Sequence, residues 1–324
     1  MSALNAAGIN ETDLNNASSR MMFDLLQQQY AGSDRHNPLK IANAVFVQNN
    51  LTLNRDFAQV FLDYFRGAAM SVDFSSRQAV DAVNKWASEN TEGLINNIVE
   101  YFDPETVAAI ANAIYYSDRW GWEFDPTSTS EGVFHSPAGN TQAFFMLREG
   151  DSQPYFEDDI VQAMPLFFKT GGGLYIILPK DGDATGLLSS MTGGYFDEIR
   201  TAPATGKLLL PRFSIESDVM ELKDALTALG IPLFNKSAAP LTCGLVEEDI
   251  PVWLSSAVQK AFIEVDEKGT TAAAVTVMTA DGEGMPEPTE PFEMICDKPF
   301  VFVLYGDTYD GGNQILFTGI VNRP

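Results

Sequence analysis

The residues able to carry acid–base or nucleophilic chemistry are few in this chain. Histidine occurs twice, at His36 and His135, in the turn-like segments HNP and FHSPAG. A hydrolase of the triad type needs a histidine base beside its nucleophile, and neither position has a nucleophile-elbow setting. The sequence therefore predicts a protein that is not an enzyme, with no cofactor.

Metal and redox chemistry are equally weakly indicated. Cys243 and Cys296 lie far apart in the sequence and have no companion at metal-ligand or redox-motif spacing. A disulfide between them is an alternative if the fold brings them together, but buried free thiols are the favoured state. No metal site is expected.

One stretch has a composition suited to being cut and then moved. Residues 258–265 form a strand by propensity, and 270–280 (TTAAAVTVMTA) are small, uncharged and compatible with a strand. Residues 281–293 (DGEGMPEPTEPFE) follow with five acidic residues and three prolines, a composition typical of an exposed loop. A segment able to form a strand thus runs directly into a loop that a protease could reach.

Composition limits the classes of partner. The chain has 324 residues, of which 45% are hydrophobic and 22 are Phe, so it can bury a large core. Its formal net charge is -24, which leaves no source for a phosphate-binding surface, and nucleic acid is not an expected partner. The first residues have neither a basic start nor an apolar run, and no stretch is long enough to span a bilayer, so we expect a soluble chain with no signal peptide and no membrane partner.

Helix and strand patterns alternate without an internal repeat or linker. This mixture predicts one α+β domain over 1–324 with large sheets. Apolar spacing behind Ser or Asn starts predicts helices, and continuous or alternating apolar runs predict strands. The predicted helices are 16–30, 54–70, 76–100 and 220–229. The predicted strands are 39–47, 72–74, 106–116, 144–148, 161–168, 173–179, 206–216, 258–265, 299–304 and 314–321.

Several separate blocks of sequence resemble the serpin family of serine-protease inhibitors. The C-terminal blocks are KAFIEVDEKGTTAAAV, a variable loop, DKPFVFVL and ILFTGIVNRP. Earlier blocks in the family's order are LKIANAVFV, NKWASENTEGLI, NAIYYSDRWGWEFDP and LLLPRFSIESDVMELKDALTALGI. The resemblance covers residues 39–324. It implies the serpin fold, with a large central β-sheet, further sheets, surrounding helices and a mobile reactive-centre loop at about 267–297.

The resemblance also implies a mechanism of suicide inhibition by a metastable protein. A protease cuts the loop, the released segment enters the central sheet as a new strand, and the acylated enzyme is trapped. The alternate residues Thr270, Ala272, Ala274 and Thr276 must then face the core, and all are small. The matching hinge residues are Glu267, Gly269, Thr270, Thr271, Ala272, Ala273 and Ala274.

Three residues match the family's central-sheet gate. Asn112 takes a buried polar position, Gln259 replaces the family's histidine, and Trp120 matches a tryptophan at the top of the sheet. The departure at Gln259 still leaves a side chain that can donate and accept hydrogen bonds. A generic core aromatic is the alternative interpretation of Trp120.

The reactive bond follows from the family's usual hinge length. Counting from Glu267 places it at Glu283–Gly284, with Met278, Ala280 and Met285 as alternatives. The target is then a serine protease that is acid-preferring, elastase-like or subtilisin-like. The family implies a secreted or extracellular monomer, and a cytoplasmic location stays open.

Two further expectations qualify the resemblance. The family has several helices and a strand before the helix at 16–30, so relative to the family the chain is N-terminally incomplete. We expect that the given sequence begins after the true start of the protein. The alternative function is a non-inhibitory serpin-like carrier, storage protein or chaperone, which usually has bulky, charged or proline residues in the hinge. This hinge has none of them.

Overall fold

The computed structural model describes residues 10–27, 39–191, 195, 199–237, 244–269, 290–307 and 313–324. Helices and extended mixed sheets together make the chain an α+β protein. Its contacts divide it into two compact units. The first contains residues 1–27, 39–116 and 216–262, and the second contains residues 28–38, 117–215 and 263–324.

One sheet has six strands within the described residues, in the order β10-β11-β3-β1-β2, with β9 also paired to β11. β1 pairs antiparallel with β3 and parallel with β2. β1 and β3 are nearly continuous apolar runs, as expected for strands covered on both faces. The strands are β1 (Leu39–Gln48), β2 (Ala68–Val72), β3 (Ala108–Tyr116), β9 (Phe213–Glu216), β10 (Met220–Glu221) and β11 (Ser256–Val265).

A second sheet has eight strands in the described part of the chain, in the order β12-β8-β5-β6-β7-β13-β14, with β4 paired to β5. The long β5 pairs with β4 and β8 along most of its length and with β6 at its end. These strands are β4 (Ser130–Ser136), β5 (Gly139–Glu157), β6 (Val161–Phe167), β7 (Gly173–Pro179), β8 (Ala202–Pro211), β12 (Phe292–Ile295), β13 (Phe300–Asp307) and β14 (Asn313–Val321).

The described helices are short and most carry side-chain caps. Asn54 accepts a hydrogen bond from the backbone N–H of Phe57, and Ser76 accepts one from Gln78, which satisfies amides that a helix start leaves unpaired. The helices are α1 (Glu11–Gln27), α2 (Arg55–Phe65), α3 (Arg77–Asn90), α4 (Ala184–Ser190) and α5 (Lys223–Ala228). Short 3₁₀ turns lie at Pro126–Ser128 and Pro232–Phe234.

Two of the predicted helices are too long. α2 ends at Phe65 because Arg66 takes a left-handed backbone conformation with φ 49°, and the chain then enters β2. α3 ends at Asn90 because Glu92 and Gly93 have φ of 55° and 82°, which an α-helix cannot contain. The predicted helical residues 91–100 instead form an irregular segment, in which Ile95 and Ile98 are fully buried.

The six-stranded sheet has two faces with different coverings. On the face we call the α3 face, Ala109, Ala111 and Ala113 pack in one cluster with residues of α3 and of the segment 95–102. On the face we call the α2 face, Val45, Val47 and Ala108 pack with partly buried aromatic residues of α2. β11 contributes Val258 and Phe262 to the α3-face cluster.

The strand predicted at 206–216 is divided into β8 and β9, which lie in different sheets, and the helix predicted at 220–229 begins with the short strand β10 and is helical only over Lys223–Ala228. Most of the other predicted elements are present with shifted ends. The strands expected at 39–47, 106–116, 173–179 and 258–265 are all present. Within the described residues no helix is long and apolar enough to cross a membrane. Cys296 is a buried free thiol, and burial raises the pKa of that thiol. Cys243 lies outside the described residues.

Candidate functional site

The predicted hinge begins at a tight reversal of the chain directly after β11. Asp266 and Gly269 form a reciprocal backbone pair, with N···O distances of 2.9 and 3.4 Å. The Asp266 carboxylate also accepts a hydrogen bond from the N–H of Lys268 at 2.8 Å. Two residues, Glu267 and Lys268, therefore close a hairpin loop, which we call the hinge turn (residues 266–269).

The hinge turn is bound to the segment that follows β3. Its three successive carbonyls, at Asp266, Glu267 and Lys268, each accept a hydrogen bond from this segment. The donors are the indole Nε1 of Trp120 to Asp266 (2.9 Å), the N–H of Phe124 to Glu267 (2.7 Å) and the N–H of Trp120 to Lys268 (3.0 Å). These three hydrogen bonds tie the turn to this segment, and because Glu267 is buried its carbonyl would be costly to leave unpaired.

Trp120 is the centre of the packing around the hinge turn. Its side chain is 2% exposed, and its ring stacks on Phe168 with centroids 4.8 Å apart. Phe124 meets the indole edge-on at 6.4 Å. The predicted site residue Trp120 thus both fills the core of the second unit and binds the hinge turn.

Gly269 has no room for a side chain. Its φ is 131°, a conformation that L-residues rarely adopt. A Cβ atom added there would lie 2.3 Å from the carbonyl oxygen of Asp118 and 2.5 Å from the Cα atom of Arg119. Both are backbone atoms, so the fit of the hinge turn requires glycine at this position.

Glu267 anchors the turn through a buried carboxylate. It is 5% exposed and accepts hydrogen bonds from Arg212 Nε at 2.8 Å, from Arg212 at a terminal nitrogen at 2.6 Å, and from the Thr129 hydroxyl. Burial alone would raise the pKa of Glu267, but the hydrogen bonds from Arg212 and Thr129 outweigh it and lower the pKa below its usual value.

The two gate amides predicted from the sequence also meet, within the first unit. Gln259 Nε2 donates to Asn112 Oδ1 at 2.9 Å, joining β11 to β3. Asn112 Nδ2 donates to Asn43 Oδ1 on β1 at 2.8 Å, and Asn43 Nδ2 donates to the carbonyl of Phe65 at the end of α2 at 3.2 Å. We call these three side chains the amide chain. It lies on the α2 face of the sheet.

β3 and β11 run in the same direction. The N–H of Ser255 donates to the carbonyl of Ala108 at 2.8 Å, and four residues further along both strands Gln259 meets Asn112. Equal steps in the same sense define parallel neighbours. A strand antiparallel to both could therefore pair with each of them if they moved apart.

The described residues include only part of the predicted site. Glu267, Gly269, Asn112, Gln259 and Trp120 are described and have the contacts given above. The predicted hinge residues Thr270, Thr271, Ala272, Ala273 and Ala274 and the predicted reactive-bond residues Glu283, Gly284, Met278, Ala280 and Met285 lie outside the described residues.

Sequence reasoning missed Asn43, Arg212 and Thr129. Asn43 had a visible signal, since it is the one polar residue between Lys40 and Gln48 in an otherwise apolar strand. Arg212 and Thr129 had none, because their contacts with Glu267 join positions 55 and 138 residues apart.

Comparison with known proteins gives one consistent family. The family profile described as "Serpin (serine protease inhibitor)" matches residues 1–324. An uncharacterized serpin-like protein of Thermococcus kodakarensis is 31% identical over 291 residues, which are 88% of this chain and 66% of that protein. The chain thus spans slightly less than two thirds of that relative's length.

Solved structures agree with this assignment of the fold. The native stressed conformation of AtSerpin1 from Arabidopsis aligns with a TM-score of 0.79 at 26% identity, covering 99% of this chain and 84% of that one. Human thyroxine-binding globulin, in complex with its ligand, aligns with a TM-score of 0.80 at 21% identity and the same two coverages. At that identity the second likeness bears on the fold alone.

Proposed function

The chain belongs to the serpin family, and we propose that it inhibits a serine-type endopeptidase by the suicide-substrate mechanism. In this mechanism the protease cuts the loop after the hinge turn, and the freed segment adds to the six-stranded sheet between β3 and β11. Strand addition of this kind, for which serpin loop insertion is an established example, derives its affinity from main-chain hydrogen bonds.

The observation that carries the proposal is the register set by the hinge turn. If the inserted strand continues the register of the Asp266–Gly269 pair, residue 270 comes to lie opposite Val265 of β11 and, two residues at a time, Ala272 opposite Ile263 and Ala274 opposite Ala261. Opposed residues of antiparallel strands point to the same face. Val265 and Ile263 are buried, so this register turns Thr270, Ala272 and Ala274 toward the core.

The same register gives the amide chain a role in the opening of the sheet. In an inserted strand of this register Thr276 would lie opposite Gln259 and on its face, so insertion would have to part Gln259 from Asn112. A threonine hydroxyl can both donate and accept, so it can replace the broken amide–amide bond from either side. A single neutral hydrogen bond, worth about 1 kcal/mol, is a small barrier to this exchange.

The composition of the hinge favours inhibition over a non-inhibitory serpin function. All residues from 270 to 280 are small or aliphatic and uncharged, so an inserting strand would bury no charge. Burying an unpaired charge in the sheet would penalise insertion by several kcal/mol. A carrier, storage protein or chaperone would not need an uncharged hinge, because its hinge does not insert into the sheet.

The target protease and the position of the reactive bond are further parts of the proposal. We place the reactive bond at Glu283–Gly284, which suits an acid-preferring protease, with Met278 or Ala280 suiting elastase-like or subtilisin-like enzymes. The protein acts as a monomer outside the cell, as secreted serpins do. Mass spectrometry of the small C-terminal fragment released by the target checks the bond, and a cut outside 278–286 contradicts this placement.

The test of the function is formation of a covalent complex. The protein is mixed with a panel of serine proteases of acidic, elastase-like and subtilisin-like preference, and the products are separated in denaturing detergent. We expect a detergent-stable adduct with at least one of them. Clean cleavage of the loop by every enzyme, without an adduct, would indicate a non-inhibitory serpin.

A further inference from the structure

One lysine of the first unit lies where a charge is costly. Lys260, in the middle of β11, is 8% exposed, and among the described residues it is the only buried lysine. It lies between Val258 and Phe262 along the strand, and both of these contribute to the α3-face cluster. Because an apolar site disfavours a charged side chain, a lysine at this position needs a physical reason.

The ammonium group of Lys260 binds both a neighbouring strand and the layer that covers the sheet. It donates to the carbonyl oxygen of Asn97 at 2.8 Å and lies 2.7 Å from a carboxylate oxygen of Glu216. Glu216 is the last residue of β9, which pairs with β11. Asn97 belongs to the irregular segment after α3. Lys260 therefore connects β11 to that segment across the α3 face.

The segment after α3 is joined to the helix by Asn84. The side-chain nitrogen of Asn84 donates to the carbonyl of Val99 at 2.8 Å, and its side-chain oxygen accepts from the N–H groups of Ile98 and Val99 at 2.8 and 3.1 Å. We call residues 77–102 the α3 body. Its buried side chains pack in one cluster with those of β3 and β11. The α3 body thus covers both strands between which the proposed mechanism inserts the cut loop.

Insertion would disturb the contacts of the α3 body with these strands. A new strand between β3 and β11 would move the two apart by about 5 Å, the usual spacing of neighbouring strands. The packing of the α3 body on β3 and its 2.8 Å hydrogen bond to Lys260 cannot then both stay as they are. The α3 body must therefore detach, at least in part, for the loop to enter.

A buried lysine makes this detachment easier than an apolar side chain would. In the closed sheet the ammonium group is removed from water, and the partners of a buried charge often fail to offset that loss. When the α3 body lifts, water reaches the ammonium group, and Glu216 can stay its partner because β9 pairs with β11. A methionine of similar length would instead expose apolar surface at this step.

We propose that Lys260 is a positioning residue for the opening of the six-stranded sheet, because its buried charge weakens the attachment of the α3 body to β11. The cut loop can then enter the sheet before the acylated protease is released by hydrolysis. The inference rests on the proposed function, since only insertion requires the sheet to open. It assigns a role in that function to a residue on the face opposite the amide chain.

Two variants of the full chain test the proposal in opposite directions. Lys260→Met should raise the free energy of unfolding in urea, and it should raise the ratio of cut to trapped inhibitor about three- to tenfold above that of the wild-type chain. Glu216→Gln keeps the ammonium group but removes its carboxylate partner. It should lower both the stability and that ratio, because an unpaired buried charge favours opening further.

Lys85→Met is the matched control, because the Lys85 side chain on α3 is 74% exposed, and it should change neither quantity. A Lys260→Met variant that is less stable than wild type would show that the lysine only supports the fold, and the proposal would be wrong. If Lys260→Met keeps the wild-type ratio, the role of Lys260 is wrong while inhibition stands. If the wild-type chain itself forms no covalent adduct, the proposed function fails and this inference fails with it.

Discussion

The hinge turn and the amide chain differ in how firmly each is bound. The hinge turn has three carbonyls bonded to one neighbouring segment, an ion pair between the buried Glu267 and the partly exposed Arg212, and a glycine enclosed by backbone. The amide chain joins β11 to β3 through a single neutral side-chain bond between part-buried groups. In the proposed mechanism the first region is the pivot, which must hold, and the second is the contact that must part.

The largest expected effect comes from filling the space at Gly269. Gly269→Ala places a Cβ against the backbone of Asp118 and Arg119, and we expect a loss of about 3 kcal/mol in the free energy of unfolding. Gly93→Ala is the matched control, since Gly93 also has a positive φ but no atom within 4 Å of an added Cβ. It should lose only about 1 kcal/mol. If the two variants lose equal free energies of unfolding in denaturant melts, the backbone that encloses Gly269 does not determine the cost of the substitution.

Glu267→Gln should weaken the pivot by a smaller amount that depends on pH. The lowered pKa of Glu267 means that its carboxylate stabilises the fold above the unfolded pKa of about 4.5 and loses this contribution as the pH falls through the folded pKa. Because Arg212 is 44% exposed, solvent screening limits the loss at pH 7 to about 1 kcal/mol.

The measurement is the stability difference between wild type and Glu267→Gln in urea at pH 7 and at pH 3. The difference should shrink at the lower pH, where the wild-type carboxyl group also takes up its proton. Glu264→Gln, at an exposed position of β11, should change stability little at either pH. A stability difference that stays constant with pH would show that the charge of the Glu267 carboxylate does not stabilise the fold.

The amide chain should show the smallest effect. A double-mutant cycle of Asn112→Ala and Gln259→Ala measures the side-chain bond between these two residues, and we expect a coupling energy of about 0.5–1 kcal/mol. A coupling above about 2 kcal/mol would reverse the comparison, because the contact that must part would then be as strong as the pivot.

Secondary-structure elements were predicted best where the pattern of apolar residues alone identifies the element. The strands β1 and β3 could be predicted because each is a nearly continuous apolar run that is largely buried on both faces. The end of α3 was not visible, because the residues after Asn90 keep a helical pattern of apolar side chains while Glu92 and Gly93 adopt positive φ. Ile95 and Ile98 are buried in both interpretations, so their pattern could not distinguish helix from irregular backbone.

For the site, several residues could be predicted from the sequence but few of their contacts could. Gly269 and Glu267 were predicted from the family resemblance, and the local motif does not reveal why each is required. The clash at Gly269 and the ion pair at Glu267 both involve residues distant in sequence, Asp118 and Arg212. Only folding brings such partners together.

The central claim is that Ala274 and its alternate neighbours enter the sheet facing the core. Ala274→Arg would then bury an unpaired charge opposite Ala261 and slow insertion, and each 1.4 kcal/mol of added barrier slows it about tenfold. The matched control is Thr271→Arg, because in the proposed register an inserted Thr271 would lie opposite Glu264, which is exposed. Ala273 is a poorer control, since it falls opposite Phe262, which packs against the α3-face cluster.

The most direct measurement is therefore the number of inhibitor molecules consumed per protease molecule trapped, for Ala274→Arg and Thr271→Arg side by side. We expect Ala274→Arg to be cut at the same bond and released without a covalent adduct, while Thr271→Arg keeps a stoichiometry close to that of the wild-type chain. If the two variants inhibit equally well, insertion in this register, and with it the proposed inhibitory mechanism, is wrong.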